Sequence, residues 1–242
     1  MGEIIKNVNS SVPEITTALK KHIVRVPEII RKEATGMTIT GKTFHSLLFT
    51  TDIAIIKNTN ANAIIAVYPF TPHPTITQAI MSVADIPVLC GVGGGTTNGL
   101  RSVNVALHAE FQGALAVVLN APTPNDTISD VKKTIDIPVI LTIVSELTDI
   151  SEKLDAGADI LNVSGGAKTT DIVRRIRKAH PLLPIIATGG PTEESILETI
   201  RAGANAITYT PPSNGDLFKV MMEKYRNDEH DKRLKALKPK TN

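Results

Sequence analysis

Residues 184–210 read PIIATGGPTEESILETIRAGANAITYT. The segment opens with a proline and a short apolar, β-branched run, 184–188, which has the length and composition of a strand. Gly189-Gly190 breaks the run. Thr192 is placed to cap a helix, Glu193 and Glu194 sit in its first turn where the helix dipole favours acids, and Gly203 stops it. A second apolar run, 205–210, follows at once. Strand, helix and strand in this order make a crossover unit, which places the two strands side by side and parallel.

The same alternation extends back to about Phe44. Further strands read at 45–50, 63–69, 87–92, 114–120, 138–144 and 159–164, with amphipathic stretches between them. PVILTIV at 138–144 is apolar at both parities, as a strand buried on both faces must be. An internal repeat supports the count. Ile86-Pro87-Val88, Ile137-Pro138-Val139 and Leu183-Pro184-Ile185 open odd strands. Ala61-Asn62-Ala63, Gly113-Ala114, Gly157-Ala158-Asp159 and Gly203-Ala204-Asn205 open even ones. Each class recurs after about 45 to 50 residues, the length of two strand–helix units. Eight such units predict an α/β fold, a (βα)8 TIM barrel, over residues 37–225. Residues 1–36 are expected to form an N-terminal helical extension that closes the bottom of the barrel. Residues 226–242 (RNDEHDKRLKALKPKTN) read as a charged, solvated C-terminal tail.

Composition narrows the function. The chain has 242 residues with 26 basic and 24 acidic side chains, so no charge excess points to nucleic acid or an anionic membrane. Five Phe, three Tyr and no Trp leave little for base stacking. No apolar run approaches the ~20 residues that span a bilayer, and residues 1–10 lack the pattern of a signal peptide. The single cysteine, Cys90, excludes an intrachain disulfide and any multi-cysteine cluster. The six histidines show no ligand spacing with an acid, so no metal is expected. A soluble, cytoplasmic protein is the reading, with association of copies through the outer helices left open.

In such barrels the site lies where the strands end and the helices begin. Glycine and hydroxyl residues are concentrated there: Thr50-Thr51-Asp52, Gly93-Gly94-Gly95-Thr96-Thr97, Ser164-Gly165-Gly166-Ala167-Lys168 and Gly189-Gly190-Pro191-Thr192. Asn120, Thr142, Asn162, Thr188 and Thr208 each sit late in an apolar strand, and a polar side chain there is best placed facing the lumen near the mouth. Asn120 and Asn162 are therefore candidate substrate ligands, as are Gly94 and Gly95. Asp52 at the end of the first barrel strand is the candidate acid or base. Lys168 is a candidate catalytic group, as a phosphate partner or an activated amine. Cys90 lies mid-strand and reads as a small buried hydrophobe, and His73 as the residue before a helix opened by Pro74.

Ala187-Thr188-Gly189-Gly190, the turn Ala202-Gly203-Ala204 and the strand Ala206-Ile207-Thr208-Tyr209-Thr210 resemble the last quarter of phosphate-binding β/α barrels. These include the ribulose-phosphate-binding and aldolase-like barrels and flavin barrels of the nitronate monooxygenase type. The resemblance implies a ligand phosphate held by the N–H groups of Gly189 and Gly190 and of the segment after the last strand. In the flavin barrels Gly165 and Gly166 would contribute too. Pro211-Pro212 departs from the pattern by removing two donors, so the grip would fall to Ser213 and its neighbours. The whole chain also resembles bacterial barrel proteins that carry a generic hydrolase label.

Three readings follow. The first is an enzyme acting on a small phosphorylated metabolite by lyase- or isomerase-type proton transfer, or as the hydrolase of that label, with no cofactor required. The second is an oxidoreductase with FMN on the paired glycines. The third is a non-catalytic sensor of a phosphorylated effector, with the basic tail reaching a partner.

Overall fold

The computed structural model describes residues 23–237. Eight parallel strands close into a ring: β3 (Ser46–Phe49), β4 (Ala63–Ala66), β5 (Val88–Gly94), β6 (Ala116–Asn120), β7 (Val139–Ile143), β8 (Ile160–Val163), β9 (Ile185–Thr188) and β10 (Ala206–Tyr209). The ring shuts where β10 pairs with β3, Thr208 opposite Leu47. Helices α2 (Ile53–Lys57), α3 (Pro74–Val83), α4 (Leu100–Phe111), α5 (Asn125–Thr134), α6 (Ile150–Asp155), α7 (Thr169–Ala179), α8 (Glu193–Arg201) and α9 (Asn214–Leu237) follow the eight strands in turn. The chain is a (βα)8 barrel.

Strand parity builds two cores. Leu47, Ala63, Ile65, Leu89, Val118, Ile140, Ile160, Ile186 and Ala206 point into the lumen. Leu48, Ile64, Cys90, Val117, Leu119, Leu141, Leu161, Val163, Ile185 and Ile207 point outward and are covered by the helices. That is why these strands are apolar at both parities.

The repeat has a physical basis at the bottom of the barrel. Asn62 Oδ1 accepts the N–H of Ser46, Asp159 Oδ2 that of Val139, and Asn205 Oδ1 that of Ile185. In three of the four even strands the first polar residue thus satisfies the first donor of the odd strand before it. Gly203 ends α8 at φ 115, and a Cβ there would meet the Arg177 side chain at 2.7 Å. Arg177 donates to the Gly203 carbonyl and to Asn205 Oδ1.

Two expectations change. Among the described residues, the bottom of the lumen is closed by an antiparallel hairpin, β1 (Met37–Ile39) and β2 (Lys42–Phe44), where the N-terminal helix was expected. Thr40 and Gly41 turn it with φ 47 and 79, as a tight two-residue hairpin needs. Ile39 and Phe44 join the lumen core, with Met37 packed on it. Helix α1 (Glu28–Glu33) instead lies against α8, with Ile30 in the outer core. Residues 1–22, which hold the first part of the expected helix, lie outside the described residues. At the other end, α9 passes through residue 226 unbroken, and every residue from Glu223 to Arg233 is exposed. Residues 226–233 of the basic segment are exposed, and the segment is helical as far as Leu237.

Phe44 is 1% exposed and seals the lumen from below. Phe44→Ala should lower unfolding stability by about 3–5 kcal/mol, read by urea denaturation, because the hairpin cannot collapse into the space left.

Candidate active site at the barrel mouth

Asn120, Thr142, Asn162, Thr188 and Thr208 all line one cavity of about 590 Å³ at the C-terminal ends of the strands. Phe49, Ile65, Val67 and Tyr68 form its apolar side. Asn162 Nδ2 donates to Thr142 Oγ1 at 3.2 Å, and Thr142 Oγ1 donates to Asn120 Oδ1 at 3.2 Å. This relay ties β8, β7 and β6 together across the floor. Thr188 Oγ1 donates to Ser164 Oγ at 3.3 Å and joins the end of β9 to the loop after β8. Asn162 is 9% exposed and Thr208 6%, yet Asn162 Oδ1 and Thr208 Oγ1 have no partner among the described residues. Buried polar atoms are nearly always satisfied, so these two atoms in one cavity wall are the ones open to hydrogen bonds from water or a ligand.

A second cavity of about 240 Å³ adjoins the first, walled by Gly91, Gly93, Gly94, Gly95 and Phe70. Gly94 and Gly95, candidate substrate ligands in the sequence, border this cavity. Their N–H groups, however, are taken by the carbonyls of Thr97 at 2.7 Å and Pro122 at 2.8 Å.

The phosphate candidates divide. Gly165 N–H donates to Thr169 Oγ1 at 3.0 Å and Gly189 N–H to the Thr208 carbonyl at 3.4 Å. A Cβ on Gly165 would meet Ile172 at 2.5 Å, and one on Gly189 would meet Ile196 at 2.7 Å. Both glycines allow helix and strand to pack closely. Gly166 (φ 60) and Gly190 (φ 81) are exposed at the rim. Ser213 donates from its N–H at 3.2 Å and its hydroxyl at 2.5 Å to Asp216, and these bonds hold the Asp216 carboxyl below its usual range. A carboxylate of the protein thus occupies the anion position at the start of α9. The start of α8 is likewise capped from within, Thr192 and Ser195 each bonding the other's N–H.

Asp52 caps α2, accepting from Ala54 N–H at 2.8 Å and Ile55 N–H at 3.2 Å. Lys168, in the short 3-10 turn Gly166–Lys168, pairs with Glu146 at the rim. The hydrogen bond and charge of Glu146 raise the lysine, and those of Lys168 lower the glutamate. Lys168 is therefore a fixed cation, the opposite of an activated amine. Neither Asp52 nor Lys168 lines the two cavities. The Cys90 thiol is pushed up to about 12 by burial. His73 caps α3, its Nδ1 accepting from Thr75 N–H at 3.4 Å. Tyr68, which the sequence reading passed over, borders both cavities and carries the only ionisable side chain among the described residues lining either one. Its place at the end of an early barrel strand, in a chain with three tyrosines, was the available signal. Among the described residues no group of three or more His, Cys, Asp or Glu could hold a metal ion, and no helix is long and apolar enough to cross a membrane.

No protein-family model matches the chain, and no curated protein matches it. Solved structures do. Phosphonopyruvate hydrolase, solved with oxalate and Mg++, is 15% identical at TM-score 0.56, over 81% of this chain and 87% of that one. Phosphoenolpyruvate phosphomutase from Streptomyces platensis subsp. rosaceus is 15% identical at TM-score 0.58, over 81% and 86%. Mandelate oxidase, again at 15% identity, reaches TM-score 0.58 over 73% and 68%. Enzymes of such different names share the architecture with this chain, and at this identity the likeness is one of fold alone.

Thr208→Val keeps the shape and removes an unpaired hydroxyl. It should leave stability unchanged or raise it by up to about 1 kcal/mol in urea denaturation, as expected where an unmet polar group serves a ligand. Cys90 should resist a thiol reagent at neutral pH in the folded protein and react at once in denaturant.

Proposed function

We propose that this protein is an enzyme acting on a small phosphorylated metabolite at the barrel mouth. The observation that carries the reading is the pair of buried orphan atoms, Asn162 Oδ1 and Thr208 Oγ1, in the wall of a cavity sized for a metabolite. The walls are amide, hydroxyl and apolar, so the part of the ligand that enters the lumen is neutral and rich in hydroxyl or carbonyl groups. Its anionic end lies at the rim, where Thr188 ties the end of β9 to the loop after β8, near Gly166, Gly190 and the Lys168 cation. Gly165, Gly189 and Ser213 serve the fold in this arrangement, and Asp52 serves α2.

FMN, the cofactor of the second reading, would place its phosphate at the same rim near Gly166 and Gly190, because Gly165 and Gly189 are engaged internally; flavin absorbance of the purified protein separates that reading from the first. A sensor would bind the same ligand without converting it, so turnover separates the first reading from the third.

The test is thermal unfolding with glycerol 3-phosphate, ribose 5-phosphate and inorganic phosphate against chloride at equal ionic strength. A compound present at a hundredfold excess over its dissociation constant stabilises the fold by about 2.7 kcal/mol and raises the midpoint. Absence of any shift with the phosphorylated compounds removes the reading. Glu146→Gln, which leaves Lys168 without its carboxylate, should tighten binding, and Lys168→Met should weaken it. The sign of the pH dependence follows from the shifts. Lys168 is raised, so its charge is complete below the ordinary lysine range and lost only as pH climbs through the raised value. Glu146 is lowered, so it stays ionised until pH falls below the ordinary glutamate range. Between about pH 6 and pH 9 the contribution of this pair to affinity should be flat.

A further inference from the structure

The two mouth cavities share a waist formed by Val67, Tyr68, Pro69, Asn120 and Ala121. Only Tyr68 and Asn120 among these have polar side chains. The Tyr68 hydroxyl oxygen accepts the His73 N–H at 2.8 Å, and a phenol oxygen that is already accepting keeps its own proton to give. The anchoring N–H belongs to the capping residue of α3, with Pro74 behind it, so the phenol is held by the start of a helix. Across the waist, Asn120 Oδ1 receives the Thr142 hydroxyl, which assigns Asn120 Nδ2 as the donor toward a ligand. The waist therefore offers two donors, and the ligand atom that suits it is an oxygen.

We infer that Tyr68 is a catalytic residue of this site, donating to a ligand oxygen that joins a part in the polar cavity to a part in the glycine-walled one. The inference rests on the ligand site proposed above, and adds that the substrate has two parts with a carbonyl or ester oxygen between them. When water adds to the carbonyl carbon that bears this oxygen and loses its proton to solvent, the C=O electron pair moves onto the oxygen, the phenol O–H bond breaks and a new O–H bond forms on the ligand. The phenolate keeps the His73 N–H bond, and water returns the proton to it afterwards. Tyr68 is the most acidic donor among the described side chains lining either cavity, the others being amides and aliphatic hydroxyls.

The chain has no tryptophan and three tyrosines, so the difference in tyrosine emission between the wild type and Tyr68→Phe reports on the waist. Glycerol, glycolate, glycerol 3-phosphate and ribose 5-phosphate are titrated into the wild type, Tyr68→Phe and, as a control, Tyr225→Phe, with emission and unfolding midpoint both recorded. Tyr68→Phe is expected to keep the unliganded midpoint, to lose affinity for the bound compound on the order of tenfold, and to lose the ligand-dependent change in emission. Once a converted compound is found, kcat of Tyr68→Phe should fall about 10²- to 10⁴-fold with KM changed far less. Unchanged affinity and an unchanged emission response in Tyr68→Phe overturn the inference. Tyr68-dependent binding of glycerol or glycolate with no binding of the phosphorylated compounds overturns the phosphorylated-metabolite reading and upholds Tyr68. No binding by the wild type overturns both.

Discussion

Closing eight parallel strands into a ring sends every second side chain of each strand into one shared lumen, and the rest of this molecule follows from how that lumen is filled. Below, it is filled by Leu, Ile, Val and Ala and stoppered by Ile39 and Phe44. Above, the same inward parity continues into Asn120, Thr142, Asn162, Thr188 and Thr208. A lumen apolar to the top would pack more favourably than one that leaves an amide oxygen and a hydroxyl without partners. The protein retains the less stable arrangement at one end only, the end where the helices begin and a ligand can enter. The stoppered bottom gives the polar layer a rigid base, since the inward residues beneath it are close-packed.

Rigidity at the floor contrasts with the charge at the rim. Lys168 and Glu146 neutralise one another on an exposed surface where an ion pair contributes little to folding. Such a pair is cheaply exchanged for a bound anion. The helix starts behave otherwise. α8 and α9 meet their own N–H groups with Thr192, Ser195, Ser213 and Asp216, so the dipoles that could hold a phosphate are met from within the chain. Among the described residues lining the two cavities, ionisable chemistry is confined to one phenol, set at the point where they join.

The strands, their order and the polar layer were legible in the sequence for a common reason. Burial on both faces leaves an apolar run that few other environments tolerate, and a late Asn or Thr in such a run has one comfortable direction to face. The hairpin Met37–Phe44 was not legible, since three-residue strands are too short to show a period. The resemblance to phosphate-binding barrels implies phosphate ligands at Gly165 and Gly189, and glycine in itself signals close approach. It does not say to what, and here the approach is to Ile172 and Ile196. Asp52 and Ser213 were read as chemistry because acids and hydroxyls at strand ends serve substrates and helix caps alike.

The sequence by itself determined the (βα)8 architecture and the five polar residues that line a cavity at the C-terminal end of the barrel. These are consequences of periodicity and local hydrogen-bonding needs, which act over neighbouring residues. Which glycine amides and carboxylates remain for a ligand, and that Tyr68 stands between two cavities, were decided by the tertiary structure alone. Each depends on contacts between residues far apart in the chain, such as Thr208 with Gly189 or Asn120 with Thr142, and no local pattern records whether a donor is already engaged.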